Sequence, residues 1–195
     1  MTHSLRKQAE VLQFLFSRED ERILKSEKCA AKMTLPRAHQ WLPSGWLMEV
    51  RAGGKNMDMM FKFYVHPHRR VRLQSKDDVL RYLKNSKISK CDTNGQCDLS
   101  SYDNILAQVD LSPTGLPSGW VTELVFRKTK DGSIRRDPYY TDPTCRYIFR
   151  TLKAAISYLE SGKVPKRAFI RRASIHDIYS FDKCVELVFF ILALF

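Results

Sequence analysis

The amino-acid sequence predicts an α+β protein of two tandem small units, each a twisted antiparallel sheet of three to four strands with one helix across one face. Three observations carry this expectation. The pentapeptide Leu42-Pro-Ser-Gly-Trp46 recurs unchanged as Leu116-Pro-Ser-Gly-Trp120. Each copy is followed by period-two and then by helical spacing of apolar residues, and the positive charge falls in two separate blocks.

The copies stay in step beyond the pentapeptide. Phe63-Tyr-Val-His-Pro67 has its counterpart in Tyr139-Tyr-Thr-Asp-Pro143, Leu73-Gln-Ser-Lys76 in Phe149-Arg-Thr-Leu152, and Tyr82-Leu83 in Tyr158-Leu159. Residues 46–51 and 120–127 alternate apolar and polar side chains, as half-buried strands do. Gly53-Gly-Lys-Asn56 and Lys130-Asp-Gly-Ser133 mark the loops that follow. A second strand, residues 59–65 or 139–141, ends at His-Pro or Asp-Pro, because proline has no N–H to continue a ladder. A short third strand, residues 71–73 or 147–149, leads to Ser75 or Thr151, whose hydroxyls suit a helix N-cap. Leu152, Ala155, Ile156 and Leu159 then form one apolar helix face, as do Val79, Leu80 and Leu83 in the first copy. Each unit would leave a sheet face, and the loop between its first two strands, free for a ligand.

Around these units the chain divides into five parts. Residues 1–39 form an N-terminal extension, read as helical from Val11, Leu12, Phe14, Leu15, Ile23 and Leu24 among charges. The first unit occupies 40–90, an acidic linker 91–113, the second unit 114–172, and a tail with an apolar end 173–195. That apolar end is shorter than the roughly 20 residues of a spanning helix, so it is expected to dock on the preceding domain, and a membrane is not an expected partner.

Charge points to the partner. Residues 42–90 hold eleven Lys and Arg against four Asp and Glu, and residues 114–172 hold thirteen against five. Residues 91–113 hold four acidic residues and no basic one. A net charge of +12 in two such blocks implies two modules for a polyanion, with nucleic acid first. Five cysteines without Cys-x-x-Cys spacing predict neither a disulfide framework nor structural zinc, and His66 and His68 lack a third ligand at metal spacing. There is no Gly-rich phosphate loop, Gly-x-Ser-x-Gly elbow or metal-hydrolase motif, so no enzyme, cofactor or small-molecule substrate is expected.

The combination of Leu-Pro-x-Gly-Trp, a basic hairpin loop, Asp137-Pro-Tyr-Tyr-Thr-Asp-Pro143 and Phe149-Arg150 before a helix resembles the methyl-CpG-binding domain, particularly its plant branch. The resemblance covers residues 42 to about 88 and 116 to about 170. It implies two arginine fingers, each taking one guanine of a symmetric CpG, with an Asp and a Tyr beside the methylated cytosine. In the second unit Arg127 matches the first finger, Asp137 its buttress, Tyr139 the methyl-side tyrosine and Arg150 the second finger. Lys128 joins this DNA-binding set. Ala154 stands where the family has an acidic residue to hold the second finger.

The first unit departs further. Gly53 and Gly54 stand in place of the first finger, Phe61 of the Asp, Phe63 of the Tyr and Gln74 of the second arginine, leaving Asp78 with no arginine to hold. Its site is degenerate, with Lys55, Lys62, Arg69, Arg70 and Arg72 left for phosphates. Trp46 and Trp120, each opening a strand, are expected in the core. The implied function is nuclear binding of duplex DNA carrying methylated CpG, in chromatin or transcription regulation. An adaptor for chromatin-associated proteins, with methylation-independent DNA contact, is the alternative. The basic run from Lys163 to Arg172 suits a nuclear import signal.

Overall fold

Turn chemistry and alternation lay down the strands. Gly45 takes a φ of +83° in the turn before Trp46, a conformation that strains any other residue, and from there the chain extends as β1 (Leu47–Gly53). β2 (Met59–His66) returns antiparallel, a 3-10 turn occupies Pro67–Arg69, and β3 (Val71–Leu73) pairs with the end of β2. Ser75 caps α1 (Lys76–Asn85), its hydroxyl accepting from the Asp78 amide at 3.1 Å. The order recurs as β5 (Val121–Lys128), β6 (Ile134–Thr141), β7 (Tyr147–Phe149) and α2 (Leu152–Ser161), the last capped by Thr151. β8 (Phe169–Ile170), α3 (Ile175–Ile178) and β9 (Cys184–Glu186) follow.

The computed structural model describes residue 39, residues 41–171 and residues 173–187. The expected N-terminal helix, the apolar end beyond Leu187 and Arg172 of the basic run lie outside the described residues. Cys145 is disulfide-bonded, contrary to the expectation from cysteine spacing, while Cys91, Cys97 and Cys184 are free.

Strand order corrects the expected fold class. Instead of two small sheets each carrying its own helix, a nine-stranded antiparallel sheet runs β3-β2-β1-β4-β5-β6-β7-β8, with β9 beside β2. The joining element is β4 (Ile105–Asp110), which pairs with β1 on one side and β5 on the other. Two separate sheets would each expose a row of unpaired N–H and C=O groups along their first strand, and β4 pairs with Leu47–Arg51 of one and Thr122–Val125 of the other. It lies inside the stretch read as an acidic linker, where the acidic residues masked the buried Ile105, Leu106, Ala107 and Val109.

β4 runs antiparallel to both neighbours, so β1 and β5 are parallel and the repeated elements extend from it in opposite directions. Half a turn about β4 exchanges them and turns the sheet over. Tyr64, Met48, Val109, Glu123 and Tyr139 form one cross-strand row and therefore share a face. α1 packs on that face, with Tyr82 edge-on to Trp46 at 5.8 Å. α2 packs on the other, with Ala155 against Trp120 and Phe149. Both tryptophans are in the core. The helices bury less than their periodicity implied: Val79, Tyr82 and Ala155 are inside, whereas Leu80, Leu83, Leu152, Ile156 and Leu159 are exposed.

A shared β4 should make the sheet one unfolding unit. Replacing the buried Ile105 with Ala is expected to cost about 2–5 kcal/mol and to lower the denaturation midpoint of the whole sheet. Far-UV circular dichroism and tryptophan fluorescence should report coincident transitions in both proteins, and an early transition of part of the signal would contradict this.

Candidate nucleic-acid interface

The β5–β6 hairpin puts charge on a strand pair at close quarters. Val125 lies opposite Asp137 and Arg127 opposite Arg135, all four on the α1 face. One Asp137 oxygen accepts from Arg127 Nε at 3.2 Å, and the other accepts from Arg135 Nε at 2.8 Å. Arg127 Nη2 reaches the first oxygen as well, at 3.2 Å. A single carboxylate thus holds two guanidinium groups. With side chains 30% exposed for Arg127 and 64% for Arg135, both groups reach solvent. Pairs this exposed add little to stability, so their effect is orientation.

The hairpin turn is closed by Thr129 N–H donating to the Ser133 carbonyl at 2.9 Å, with Gly132 at φ +87°. Lys128 and Lys130 are exposed beside it, but strand alternation sends Lys128 to the α2 face, away from Arg127. Ile134–Thr141 is longer than the expected strand because Pro138 does not end it. β7 reaches only Tyr140 and Thr141, so on its side of β6 the proline's missing N–H breaks no ladder bond.

Arg150 stands exposed just before the α2 cap, its guanidinium 5.4 Å from the Phe169 ring centre. Phe169 also meets Tyr139 edge-on at 6.2 Å, and Arg171 lies over the Tyr139 ring at 5.2 Å. Tyr139 is 9% exposed, and burial pushes its phenol above the ordinary value. Arg127 and Asp137 are therefore joined, Arg150 sits near Tyr139 across Phe169, and Tyr139 itself is covered.

The cover is the chain that follows β8. Glu123, fully buried, accepts from Arg171 Nη1 at 2.7 Å and from the Tyr179 hydroxyl, which burial and the Glu123 charge push well above its ordinary value. Lys62 Nζ donates to the carbonyls of Tyr179, at 3.0 Å, and Phe181. β9 then pairs with Met59, Met60 and Phe61 of β2. Residues 169–171 and 173–186 thus cross the α1 face from β7 to β2. Arg135, Glu123 and Arg171 escaped sequence reasoning. For Arg135 the signal was available, since two residues from Asp137 on a strand means the same face.

The half-turn about β4 brings Gly53, Phe61, Phe63 and Gln74 to the positions of Arg127, Asp137, Tyr139 and Arg150, now on the α2 face. There residues 91–104 cover them. A Cβ on Gly53 would lie 2.5 Å from the Gln96 carbonyl oxygen, which also accepts from the Gly54 amide at 2.7 Å. Phe61 and Phe63 pack with Cys97, Cys91 and Leu99, and Gln74 Oε1 accepts from the Asp92 amide at 3.0 Å. Buried Arg51 donates to Glu49 at 2.7 Å, the Ser101 carbonyl at 2.6 Å and Asn104 at 2.9 Å.

Two of the cations expected to meet phosphates are engaged inside, Lys62 by the segment after β8 and Arg72 beneath residues 91–104. Lys62 is buried, and Arg72 pairs with buried Glu49 at 3.2 Å, while Lys55, Arg69 and Arg70 stay exposed. Asp78 does hold an arginine, Arg81, at 3.1 Å.

A protein of Arabidopsis thaliana described as methyl-CpG-binding domain-containing protein 13 is 40% identical to this chain over 50 residues. That stretch is 26% of this chain and 7% of the length of that relative. The likeness supports a methyl-CpG-binding-domain-like relationship for that part of the chain. No family model and no solved structure matches.

Burial lowers Lys62 from its ordinary 10.5 to about 8. Between those values the unfolded chain binds more protons than the folded one, so Lys62 should make stability rise with pH across that window. Denaturation midpoints of the native chain and Lys62→Met, compared from pH 8 to pH 10.5, should show the rise in the first and a flatter profile in the second. An equal slope in both would remove Lys62 as its source.

Proposed function

We propose that the chain is a nuclear DNA-binding protein that recognises methylated CpG in duplex DNA through Arg127 and Arg150 and acts in chromatin or transcription regulation. The observation that carries this reading is the Arg127–Asp137 pair on an exposed basic hairpin. A guanidinium already held by a carboxylate loses less freedom on binding, and its remaining donors match guanine O6 and N7 in the major groove. Arg150, on the same side of the sheet and braced by Phe169, supplies the second fork for the guanine of the opposite strand.

Methylation adds apolar area to each cytosine beside a guanidinium plane. With Tyr139 beneath Arg171, the methyl preference is assigned to the two arginines rather than to the tyrosine. Arg135 and Lys130 are placed for phosphates, which hold the hairpin in register without reading sequence. The first repeat contributes only phosphate contacts from Lys55, Arg69 and Arg70. The chain acts in this reading as a binding protein and not as a catalyst.

Titration of the full chain with matched methylated and unmethylated duplexes tests the proposal. Arg127→Ala and Arg150→Ala should each cost about 1–3 kcal/mol on the methylated probe and shrink the difference between probes. Lys55→Ala should weaken both alike, and affinity should fall steeply with salt. Equal binding to the two probes, unmoved by either arginine substitution, would refute it.

A further inference from the structure

The half-turn that exchanges the repeats also pairs their outward apolar residues. Leu80 corresponds to Ile156, Leu83 to Leu159 and Ile88 to Val164, and all six are exposed. With Leu152, seven of the nine exposed large hydrophobics among the described residues lie on α1, α2 or the turns after them, so the exposure is concentrated rather than scattered. The repeats have diverged at Gly53 and Arg127, Phe61 and Asp137, Gln74 and Arg150. At the outward pairs 80 and 156, 83 and 159, and 88 and 164, where solvent favours polar side chains, both keep an aliphatic one.

Charge surrounds each stripe. Residues 76–90 carry five Lys and Arg against two Asp, and residues 152–167 carry four against one Glu, a net of +3 in each case. Such a surface repels a second copy of itself and attracts an acidic one. The stripe Leu152, Ile156, Leu159 runs at i, i+4 and i+7, the spacing by which one amphipathic helix seats against another.

We propose that the outer faces of α1 and α2 are two equivalent docking sites for an acidic amphipathic helix of a partner protein. Because the helices lie on opposite sides of the sheet, the two sites fill separately and one chain joins two partner segments. The inference does not rest on the DNA reading, since the hairpin arginines are not part of either stripe.

The test is calorimetric titration of the full chain with a synthetic helical peptide bearing Leu at i, i+4 and i+7 and Glu elsewhere, alongside the same peptide with Lys for Glu. The acidic peptide should fill two sites and the basic peptide none. Leu80→Ser with Leu83→Ser should remove one site, and Ile156→Ser with Leu159→Ser the other. All four substituted positions are exposed, and circular dichroism checks that the sheet is retained. No binding, or binding indifferent to both pairs of substitutions, overturns the proposal. So does self-association abolished by these substitutions, which makes the stripes a self-interface, or leucine-dependent binding to vesicles of anionic lipid, which makes them a membrane surface.

Discussion

The pairing of β4 with both β1 and β5 is the constraint on which the rest of the structure depends. A three-stranded sheet that ends on β1 or β5 has an unpaired edge, and a single strand of six residues pairs with both edges at once. Because β4 is antiparallel to each neighbour, the repeats are related by a half-turn that inverts the sheet. Every surface that the first repeat presents on one face, the second presents on the other. The opposite placement of the helices, and of the outward aliphatic residues they carry, follows from that one strand.

Inversion also explains why two unrelated segments serve as covers. Glu49 and Glu123 occupy equivalent positions, both are buried, and each is satisfied by an arginine that ties down a segment outside the repeat. For Glu49 that arginine is Arg51, which reaches on to the carbonyl of Ser101. For Glu123 it is Arg171, delivered by the covering chain itself. A buried carboxylate left alone would be strongly destabilising, so each cover is pinned where its glutamate stands. The first cover extends over Gly53, Phe61, Phe63 and Gln74 and removes them from solvent. The second covers Glu123 and Tyr139 but leaves the Arg127 and Arg150 side chains within reach of solvent.

Local features were legible from the sequence because they depend on neighbours along the chain. Ser75 and Thr151 cap their helices, the tryptophans after Pro-Ser-Gly are buried, and Asp137 meets Arg127 across the hairpin. What the sequence hid is non-local. Nothing in Ile105-Leu-Ala-Gln-Val-Asp110 announces that it will bridge two sheet edges, and a stretch bounded by aspartates reads as solvated. Phe61 and Phe63 looked like losses from a binding site, yet they are apolar because residues 91–99 lie over them. Lys62 and Arg72 looked like phosphate contacts because charge in a sequence does not reveal that a distant segment, residues 179–181 for one and Leu99 for the other, accepts from it.

In the proposed function the exposed hairpin arginines of the second repeat, and not the covered face of the first, contact the nucleic acid. Amide chemical shifts of the full chain, followed by NMR on addition of a short duplex with one symmetric methylated CpG, test it most directly. Shifts should cluster in residues 127–137 and around Arg150, while residues 59–63 and 91–104 stay unmoved. Shifts concentrated in residues 53–63, with the β5–β6 hairpin silent, would contradict it.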